Sequence, residues 1–398
     1  MQNASQSGTN GTPISQRVRA LSPSGIRKFF ELLYTMDDVI SLGVGEPDFV
    51  TPWRIRESAI YSIEKGYTMY TSNFGLMELR QEISGYMNRR TGLEYNPANQ
   101  VLVTVGVSQG IDLAMRALID PGDEVIVPEP TYVSYVPCVT LAGGVAVPVP
   151  THMENGFRVR PQDIEDRVTP RTKAILIGYP NNPTGAVMPR RELEEIAGIA
   201  ERHGLFVVSD EIYERLVYGT EHTTFASLPG MAERTVHLSG FSKSYAMTGW
   251  RVGYACSHPE IIEAMMKVHQ YTMMCAPIQG QMAAIEALRS GDSSVEDARE
   301  EYNRRRHLMM SGLNRMGLAC LEPQGAFYTF PSIKSLDMTS MEFAERLLME
   351  EHVALVPGSA FGPSGEGHVR CCYAVATEEI EEALERIGRF VRKVKGGS

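Results

Sequence analysis

From about Val101 onward, the chain alternates short apolar runs with longer stretches of helical periodicity. The runs are bounded by turn residues and read, in order, VLVTV, DEVIVP, VAVPVP, KAILIGYP, LFVVSDEIY, TVHLSGFS and RVGYAC. Continuous apolar runs of this length are typical of strands that are buried on both faces of a sheet. Their alternation with helices predicts an α/β domain with a mainly parallel sheet.

The pattern changes after about residue 290. A long helical pattern from Val295 to Met316 is followed by the shorter apolar runs GAFYTF, VALVPG and HVRCCYAV and by a closing helix. At 398 residues, the chain is also longer than a domain with a single hydrophobic core usually is. We therefore predict a large domain and a smaller α+β domain, and the predicted divisions are 1–13 as a disordered tail, 14–50 as a segment that joins the smaller domain, 51–290 as the large domain and 291–398 as the smaller domain.

Charge and composition disfavour several other classes of protein. The net charge of −10 argues against nucleic-acid binding, which needs a basic surface. No run approaches the roughly 20 apolar residues that cross a membrane, and we expect no signal peptide. The six cysteines form no CxxC pair, and no histidines stand at metal-ligand spacing. We therefore predict free thiols, no metal site and a cytoplasmic protein without membrane contact.

The first candidate site lies after the first apolar run. Ligands of open parallel sheets bind at the carboxyl ends of the strands. Gly106, Val107 and Ser108 follow VLVTV and begin a helical pattern. A glycine turn and the free N–H groups of a helix N-terminus together form an anion site. The nearest GxG motif, at residues 43–45, lacks a third glycine and a following helix, so a dinucleotide site is disfavoured.

Polar side chains also follow three later apolar runs. Asn182 lies in the turn YPNNPTG, Asp210 directly follows LFVVS, and Tyr213 comes three residues later. Lys243 and Arg251 lie in SGFSKSYAMTGWRVGY. Taken singly, these could be a turn residue, a helix N-cap and a surface lysine. A lysine in a partly dry site, however, loses its proton readily and attacks carbonyl groups. Together with the anion site, the set fits a phosphorylated pyridine aldehyde.

The chain closely resembles the class I aminotransferases, which are fold type I enzymes that use pyridoxal 5′-phosphate (PLP). The resemblance runs from about residue 15 to residue 390, and its motifs are SLGVGEPDFVTP, YTSNFGLMELR, YPNNPTG, SDEIY, GFSKSYAMTGWRVG, QGAFYTF and VPGSAFG. It implies a large PLP-binding domain with a mainly parallel seven-stranded sheet. It also implies a cytoplasmic homodimer whose active sites are shared between the subunits.

The resemblance implies a role for each candidate position. Lys243 would form the internal aldimine and then move the proton between Cα and C4′, and Asp210 would pair with the pyridine nitrogen. Tyr213 and Asn182 would hold the phenolic oxygen, Asn182 would also contact the substrate, and Tyr132 would stack on the ring. The positions around the phosphate would be Gly106, Val107, Ser108, Ser242 and Arg251, together with Tyr70 from the neighbouring subunit.

The resemblance also implies how the substrate binds. The planar guanidinium of Arg370 would grip the α-carboxylate, and the backbone at Gly45 would lie beside it. Ser108 stands where some aspartate-specific members carry lysine, and HQYTMMCAPIQ offers methionines but no arginine. We therefore expect aromatic or larger aliphatic amino acids to be accepted at least as well as aspartate, unless Arg17 or Arg19 supplies a cation.

The expected activity is the transfer of an amino group between an L-amino acid and a 2-oxo acid by a ping-pong mechanism. Two alternatives stay open. The first is a lyase of the same fold that cleaves a C–S bond or eliminates a β substituent. The second is a non-catalytic regulator that senses PLP. The complete set of site residues disfavours the regulator, which would also need a DNA-binding domain that we do not expect before Ile14.

Overall fold

The computed structural model describes residues 14–21, 36 and 38–396. The predicted disordered tail, residues 1–13, lies outside the described residues. The described α-helices are α1 (Gln16–Arg19), α2 (Trp53–Glu64), α3 (Met77–Thr91), α4 (Gly106–Leu118), α5 (Tyr135–Ala142), α6 (Pro161–Glu165), α7 (Arg190–His203), α8 (Pro259–Thr272), α9 (Ile278–Ser290), α10 (Asp292–Arg315), α11 (Ser340–Glu351) and α12 (Thr377–Gly396). The described strands are β1 (Ile40–Ser41), β2 (Val101–Thr104), β3 (Glu124–Glu129), β4 (Val145–Pro150), β5 (Thr172–Gly178), β6 (Phe206–Asp210), β7 (Thr235–Gly240), β8 (Gly253–Cys256), β9 (Tyr328–Thr329), β10 (Val353–Ala354), β11 (Val356–Pro357) and β12 (Val369–Cys372).

Among the described residues, seven strands form one central sheet in the order β2-β8-β7-β6-β5-β3-β4. The pairs from β4 to β7 are parallel, and β8 runs antiparallel to both of its neighbours, β7 and β2. The prediction of an α/β fold with a mainly parallel seven-stranded sheet is therefore confirmed.

Alternate residues of β5 show why the apolar runs are continuous. Ala174 and Leu176 pack in the same hydrophobic cluster as residues of α4, whereas Ile175 and Ile177 pack in the cluster that contains residues of α7. Successive side chains of a strand point to opposite faces, so both faces of this sheet are covered.

The run VAVPVP departs from the prediction of a strand buried on both faces. It forms β4 at one edge of the sheet, where Val145 is 50% exposed. The run also carries Pro148 and Pro150. Proline has no N–H group to donate to a neighbouring strand, and it is therefore tolerated best at the edge of a sheet. An apolar run alone does not distinguish an edge strand of this kind from an inner one.

The later strands form two small sheets. β1 pairs parallel with β10, and β9, β12 and β11 form an antiparallel sheet with β12 in the middle. The run GAFYTF is a strand only at β9, since Ala326 has a φ of 57°. The pairing of β1 with β10 supports joining residues 14–50 to the smaller domain, although the predicted domain boundaries remain predictions. None of the helices in the described ranges combines the length and apolarity needed to cross a membrane.

Residues 42–51, which we name the strap, connect the small sheets to the central sheet. At one end, the N–H of Leu42 donates to the carbonyl of Ala354 at 2.8 Å. At the other end, the hydroxyl of Thr51 donates to the carbonyl of Ala246, in the loop that follows β7, at 2.5 Å. The strap is thus fixed to both parts of the fold.

An ion pair fixes the middle of the strap to α10. The guanidinium of Arg305 donates to Asp48 at 2.7 Å, and the side chain of Arg305 is only 9% exposed. The ring of Phe49 packs against that of Tyr302, also on α10, with 5.2 Å between the ring centroids. Arg305 also pairs with Glu301 on α10 at 2.9 Å, so this buried guanidinium joins a carboxylate of the strap to one of α10.

Candidate active site

A cavity of about 400 Å³ lies at the carboxyl ends of the parallel strands. The side chains that follow β5, β6 and β7 meet there, as the sequence predicted. All of the predicted site residues except Gly106 and Tyr70 line it, namely Gly45, Val107, Ser108, Tyr132, Asn182, Asp210, Tyr213, Ser242, Lys243, Arg251 and Arg370.

One end of the cavity is built to hold an anion. The first turn of α4 contributes free N–H groups, and Ser108 and Ser242 line the cavity beside it. Gly106 has a φ of 73°, and a Cβ there would lie 2.5 Å from Nη2 of Arg251. Glycine therefore allows both the turn and the close approach of the guanidinium. Arg251 itself has a φ of 54°, a strained value typical of functional sites.

Lys243 faces the cavity from the segment after β7. Its Nζ donates to the carbonyl of Gly45 in the strap at 2.6 Å. The rings of Tyr213 and Phe327 lie 5.9 and 5.8 Å from the same nitrogen. Burial lowers the pKa of Lys243 to about 8. Part of the lysine is therefore the uncharged, nucleophilic amine near neutral pH, unlike an ordinary surface lysine.

The pKa of Lys243 predicts how its reactivity depends on pH. Only the uncharged amine attacks a carbonyl. The rate of reductive methylation of Lys243 in the cofactor-free protein should therefore increase with pH, with its midpoint at about 8. The measurement is mass spectrometry of digests after timed treatment with formaldehyde and cyanoborohydride. The exposed Lys173 is the reference in the same digests. If Lys243 methylates no faster than Lys173 at pH 7.5, its amine is not activated.

Asp210 ends β6 and presents a buried carboxylate to the cavity. One oxygen accepts a hydrogen bond from the hydroxyl of Tyr135 at 2.8 Å, and the other accepts from the N–H of Ile212 at 3.2 Å. Burial raises the pKa of Asp210 to about 6, against the effect of these two hydrogen bonds. The next described α-helix begins only at Pro259, so the helix N-cap alternative is wrong. A buried carboxylate of this kind suits a cationic partner.

Arg370, on β12, is a buried guanidinium that is held by two hydrogen bonds and two aromatic rings. Its Nη1 donates to Oδ1 of Asn182 at 2.9 Å, and its Nη2 donates to the carbonyl of Gly43 at 2.6 Å. The rings of Tyr328 and Phe361 lie 4.5 and 5.0 Å from the guanidinium carbon. Its Nε is buried and has no partner in the described protein. Because Arg370 lines the cavity, its guanidinium could pair with a carboxylate bound there.

Two aromatic residues complete the wall of the cavity. The hydroxyl of Tyr213 lies 2.8 Å from that of Tyr328. Burial raises the pKa of Tyr213 well above its usual value, so Tyr213 stays a neutral phenol with a proton to donate. Tyr132 packs edge-on against Tyr135, with 5.7 Å between the ring centroids.

Tyr70 does not reach the cavity of its own chain. Its side chain is 77% exposed, in line with the prediction that it serves a neighbouring subunit. The expected methionine wall is also missing from this cavity, because Met273 and Met274 do not line it and are 52% and 44% exposed. They lie instead beside the segment of Tyr70, where Asn73 Nδ2 donates to the carbonyl of Met274 at 2.8 Å.

The sequence analysis missed several residues that line the cavity, namely Gly43, Tyr135, Thr248, Tyr328 and Phe361. Tyr135 comes three residues after Tyr132, and its N–H donates to the carbonyl of Tyr132 at 3.1 Å in the turn before α5. Tyr328 and Phe361 lie inside the motifs QGAFYTF and VPGSAFG. The motifs thus contained these two residues, but the sequence alone did not indicate that either of them lines the site.

A buried polar network lies next to Asp210 in the chain. One oxygen of Glu211 accepts from Ser209 at 2.8 Å, and the other lies 2.6 Å from Nε2 of His222. Burial opposes ionisation of Glu211, but His237 and His222 outweigh it and hold its pKa well below the usual range. Glu211, Glu214 and His237 have ligand atoms within 4.8 Å of one another. Since protein donors already occupy both oxygens of Glu211, we interpret the network as structural support for the end of β6.

These groups together define the class of the protein. An amine with a lowered pKa, an anion cradle, a buried carboxylate and a guanidinium line one cavity. These are the groups that an enzyme needs to bond a lysine to a carbonyl compound that carries an anion, and to bind a second molecule by its carboxylate.

Comparison with known proteins identifies the family. The model of the family described as aminotransferase class I and II matches residues 37–387. YugH of Bacillus subtilis (strain 168), an aminotransferase by name, is 55% identical over 96% of this chain and 98% of its own length. The aspartate aminotransferase of Pyrococcus abyssi is 47% identical over 96% of this chain and 99% of its own. The chain therefore belongs to the class I and II aminotransferase family, which confirms the resemblance and the enzyme class predicted from its motifs.

Solved structures agree with this assignment. The aromatic aminotransferase from Pyrococcus horikoshii OT3 has a TM-score of 0.89 and 45% identity, and the match covers 93% of this chain and 99% of that one. The aspartate aminotransferase from Thermus thermophilus with maleate has a TM-score of 0.91 and 41% identity, and covers 95% and 100%. These matches confirm the fold type I class that the sequence predicted.

Proposed function

We propose that this chain is a PLP-dependent aminotransferase that moves an amino group between an L-amino acid and a 2-oxo acid in two alternating half-reactions. The observation that carries the proposal is the meeting of Lys243, Asp210 and Arg370 at one cavity. The names of its relatives favour amino transfer over the lyase alternative. The complete set of site residues also disfavours a non-catalytic regulator.

The residues of the cavity fit PLP. Arg251, Ser242 and the N-terminus of α4 would hold its phosphate, and Asp210 would hold its pyridine nitrogen. Tyr213 and Asn182 would donate to its phenolic oxygen. When bound, PLP supplies an electron sink for the bond that breaks at the substrate Cα. The raised pKa of Asp210 supports this fit, because a buried carboxylate without a cation is costly.

Each of these residues has a separate role in the proposed reaction. Lys243 binds the cofactor through its amine and, once released, accepts the proton from the substrate Cα at Nζ. Asp210 keeps the pyridine nitrogen protonated. Arg370 orients the substrate carboxylate, with Asn182 and Gly43 fixing the plane of its guanidinium. The carbonyl of Gly45 holds the lysine amine inside the cavity.

The cavity supports a preference for apolar side chains. Among the described residues that line it, the cations are Lys243, Arg251 and Arg370, and each already has a proposed role. The apolar lining consists of Val44, Val107, Ile111, Val133, Pro180, Ile212 and Phe361. The sequence suggested Arg17 or Arg19 as a further cation; Arg17 lies against Gly143, and neither residue lines the cavity. A second carboxylate, such as that of aspartate, would therefore be buried without a partner.

The substrate preference gives a direct test of the proposed function. With 2-oxoglutarate as acceptor, kcat/KM for phenylalanine and leucine should equal or exceed that for aspartate, with alanine measured alongside. An aspartate preference above about tenfold, roughly 1.4 kcal/mol, would mean that a cation reaches the cavity from elsewhere. A parallel reaction that contains cysteine, which carries a thiol leaving group on Cβ, and no 2-oxo acid tests the lyase alternative. Continued release of ammonia and pyruvate there, with no amino transfer, would contradict the proposed function.

We also propose that the protein is a homodimer whose subunits complete each other's sites. Large apolar side chains are exposed on two segments, at Tyr67, Met69 and Tyr70 and at Tyr271 and Met273. A hydrogen bond from Gln279 Nε2 to the carbonyl of Tyr67, at 2.9 Å, helps to hold these segments together as one surface. Exposed apolar surfaces of this kind mark protein interfaces. Tyr70 would extend from this surface to the phosphate held by the other subunit.

The role of Tyr70 predicts the behaviour of mixed dimers. Tyr70→Phe should weaken PLP binding about tenfold, because one hydrogen bond to a charged phosphate is lost. Mixed with inactive Lys243→Ala subunits, it should form hybrid dimers in which one site has both Lys243 and Tyr70, and that site should bind PLP normally. The measurements are PLP titration and sedimentation, with Tyr61→Phe, an exposed tyrosine on α2, as the control. A fully active monomer would contradict the shared site.

We propose, finally, that the protein is cytoplasmic. All six cysteines lie in the described part of the chain and are free thiols, five of them buried. Free thiols are typical of a reducing compartment, which supports this location.

A further inference from the structure

Tyr328 touches both halves of the proposed site, although nothing in the sequence gave it a role. It lies on β9, is 1% exposed and lines the cavity. Its ring lies under the guanidinium of Arg370, and its hydroxyl lies 2.8 Å from that of Tyr213. Arg370 is the proposed ligand of the substrate carboxylate, and Tyr213 is the proposed ligand of the cofactor's phenolic oxygen.

The ring of Tyr328 fixes the plane of the guanidinium. The guanidinium carbon of Arg370 lies 4.5 Å from the ring of Tyr328 and 5.0 Å from that of Phe361. Its two Nη atoms donate to Asn182 and Gly43. The orientation of the guanidinium is therefore set by two ring contacts together with two hydrogen bonds.

We expect the hydroxyl of Tyr328 to be the donor, and that of Tyr213 the acceptor, in the hydrogen bond between them. Each phenol has a single proton, and Tyr213 must direct its own towards the cofactor if it is to stabilise a negative oxygen there. The oxygen of Tyr213 is then free to accept from Tyr328. Burial raises the pKa of Tyr328, but the guanidinium of Arg370 opposes that rise and makes this hydroxyl a better donor.

We propose that Tyr328 is a positioning residue that couples the substrate-carboxylate site to the cofactor site, by fixing Arg370 through its ring and by donating to Tyr213 through its hydroxyl. The inference rests on the proposed function. Gly45 belongs to the same arrangement, because a Cβ at that position would collide with the Tyr328 hydroxyl. The strap therefore passes closely over the residue that joins the two sites.

The hydroxyl and the ring can be tested separately in the enzyme loaded with PLP. Tyr328→Phe keeps the ring and removes the donor, so Tyr213 becomes a weaker donor to the phenolic oxygen. The midpoint of the pH titration of the bound cofactor's absorbance should then rise by about one pH unit, since the negative form of that oxygen loses support. The dissociation constant of 3-phenylpropanoate, a carboxylate without an amino group, should change less than about twofold, because the ring under Arg370 remains.

Phe361→Leu is the matched variant for the ring. It removes the second aromatic ring that contacts the guanidinium and leaves the Tyr213–Tyr328 hydrogen bond intact, so it should weaken 3-phenylpropanoate binding about tenfold without moving the titration midpoint. Tyr328→Leu should produce both effects. The proposal is overturned if Tyr328→Phe leaves the midpoint unchanged, or if Phe361→Leu moves it equally. Thermal unfolding checks that each variant folds, and the first two variants suffice if Tyr328→Leu does not. A wild-type protein without a PLP absorbance band would instead contradict the proposed function.

Discussion

Lys243→Ala is expected to lower kcat for amino transfer on the order of 10⁴-fold or more. The change removes both the amine that bonds to the cofactor and the group that accepts the Cα proton. PLP should still bind, because its proposed phosphate ligands, the N-terminus of α4, Ser242 and Arg251, do not depend on the lysine. The variant protein should therefore retain a cofactor but fail to use it.

Stopped assays of product formation and a PLP titration of the same preparation measure these two properties. Lys267→Ala is the matched control, because Lys267 is a lysine on α8 that pairs with Glu263 and does not line the cavity. Its activity should stay close to that of the wild type. Substantial turnover by the Lys243→Ala variant would contradict the assignment of Lys243 as the catalytic lysine.

Asp210→Asn should lower kcat about 10²–10³-fold, which is typical when one electrostatic stabiliser is removed from an active site. The amide has nearly the same shape, and its oxygen can still accept from Tyr135 or Ile212. It carries no negative charge, however, so the pyridine nitrogen loses its proton and the ring accepts electrons less well.

The measurement for Asp210→Asn is kcat/KM for the best donor, together with the spectrum of the bound cofactor. Asp112→Asn serves as the control, since Asp112 lies on α4 and pairs with the surface residue Arg116. Near-normal rates in Asp210→Asn would show that the carboxylate only supports the turn through Ile212.

The sequence predicted the site residues that lie at strand ends because the sheet itself brings them together. Asn182, Asp210 and Lys243 follow adjacent parallel strands, so locating the strands was enough to locate the side chains. The edge position of β4 could not be predicted in the same way. Its apolar run resembles that of an inner strand, and only the pairing of whole strands decides which one lies outside.

Contacts between distant parts of the chain were the hardest to predict. The guanidinium of Arg370 is held by Asn182 and Gly43, three positions that are far apart in sequence and that meet only when β12, the strap and the turn after β5 pack together. Tyr328 was missed for the same reason. Its role depends on the distance between two hydroxyl groups and on a ring under a charge, and neither has a signature in local sequence.

The pairing of β1 with β10 bears on the order in which the enzyme is completed during its synthesis. All strands of the central sheet leave the ribosome before β10 and β12, so that sheet is free to fold while β1 still has no partner. The strap follows β1, and it carries the carbonyl groups of Gly43 and Gly45 into the cavity. A nascent chain that ends before β12 therefore has Lys243 but lacks Arg370, the proposed ligand of the substrate carboxylate, and the pairing of β1 with β10, which closes a long loop, brings the strap to the cavity.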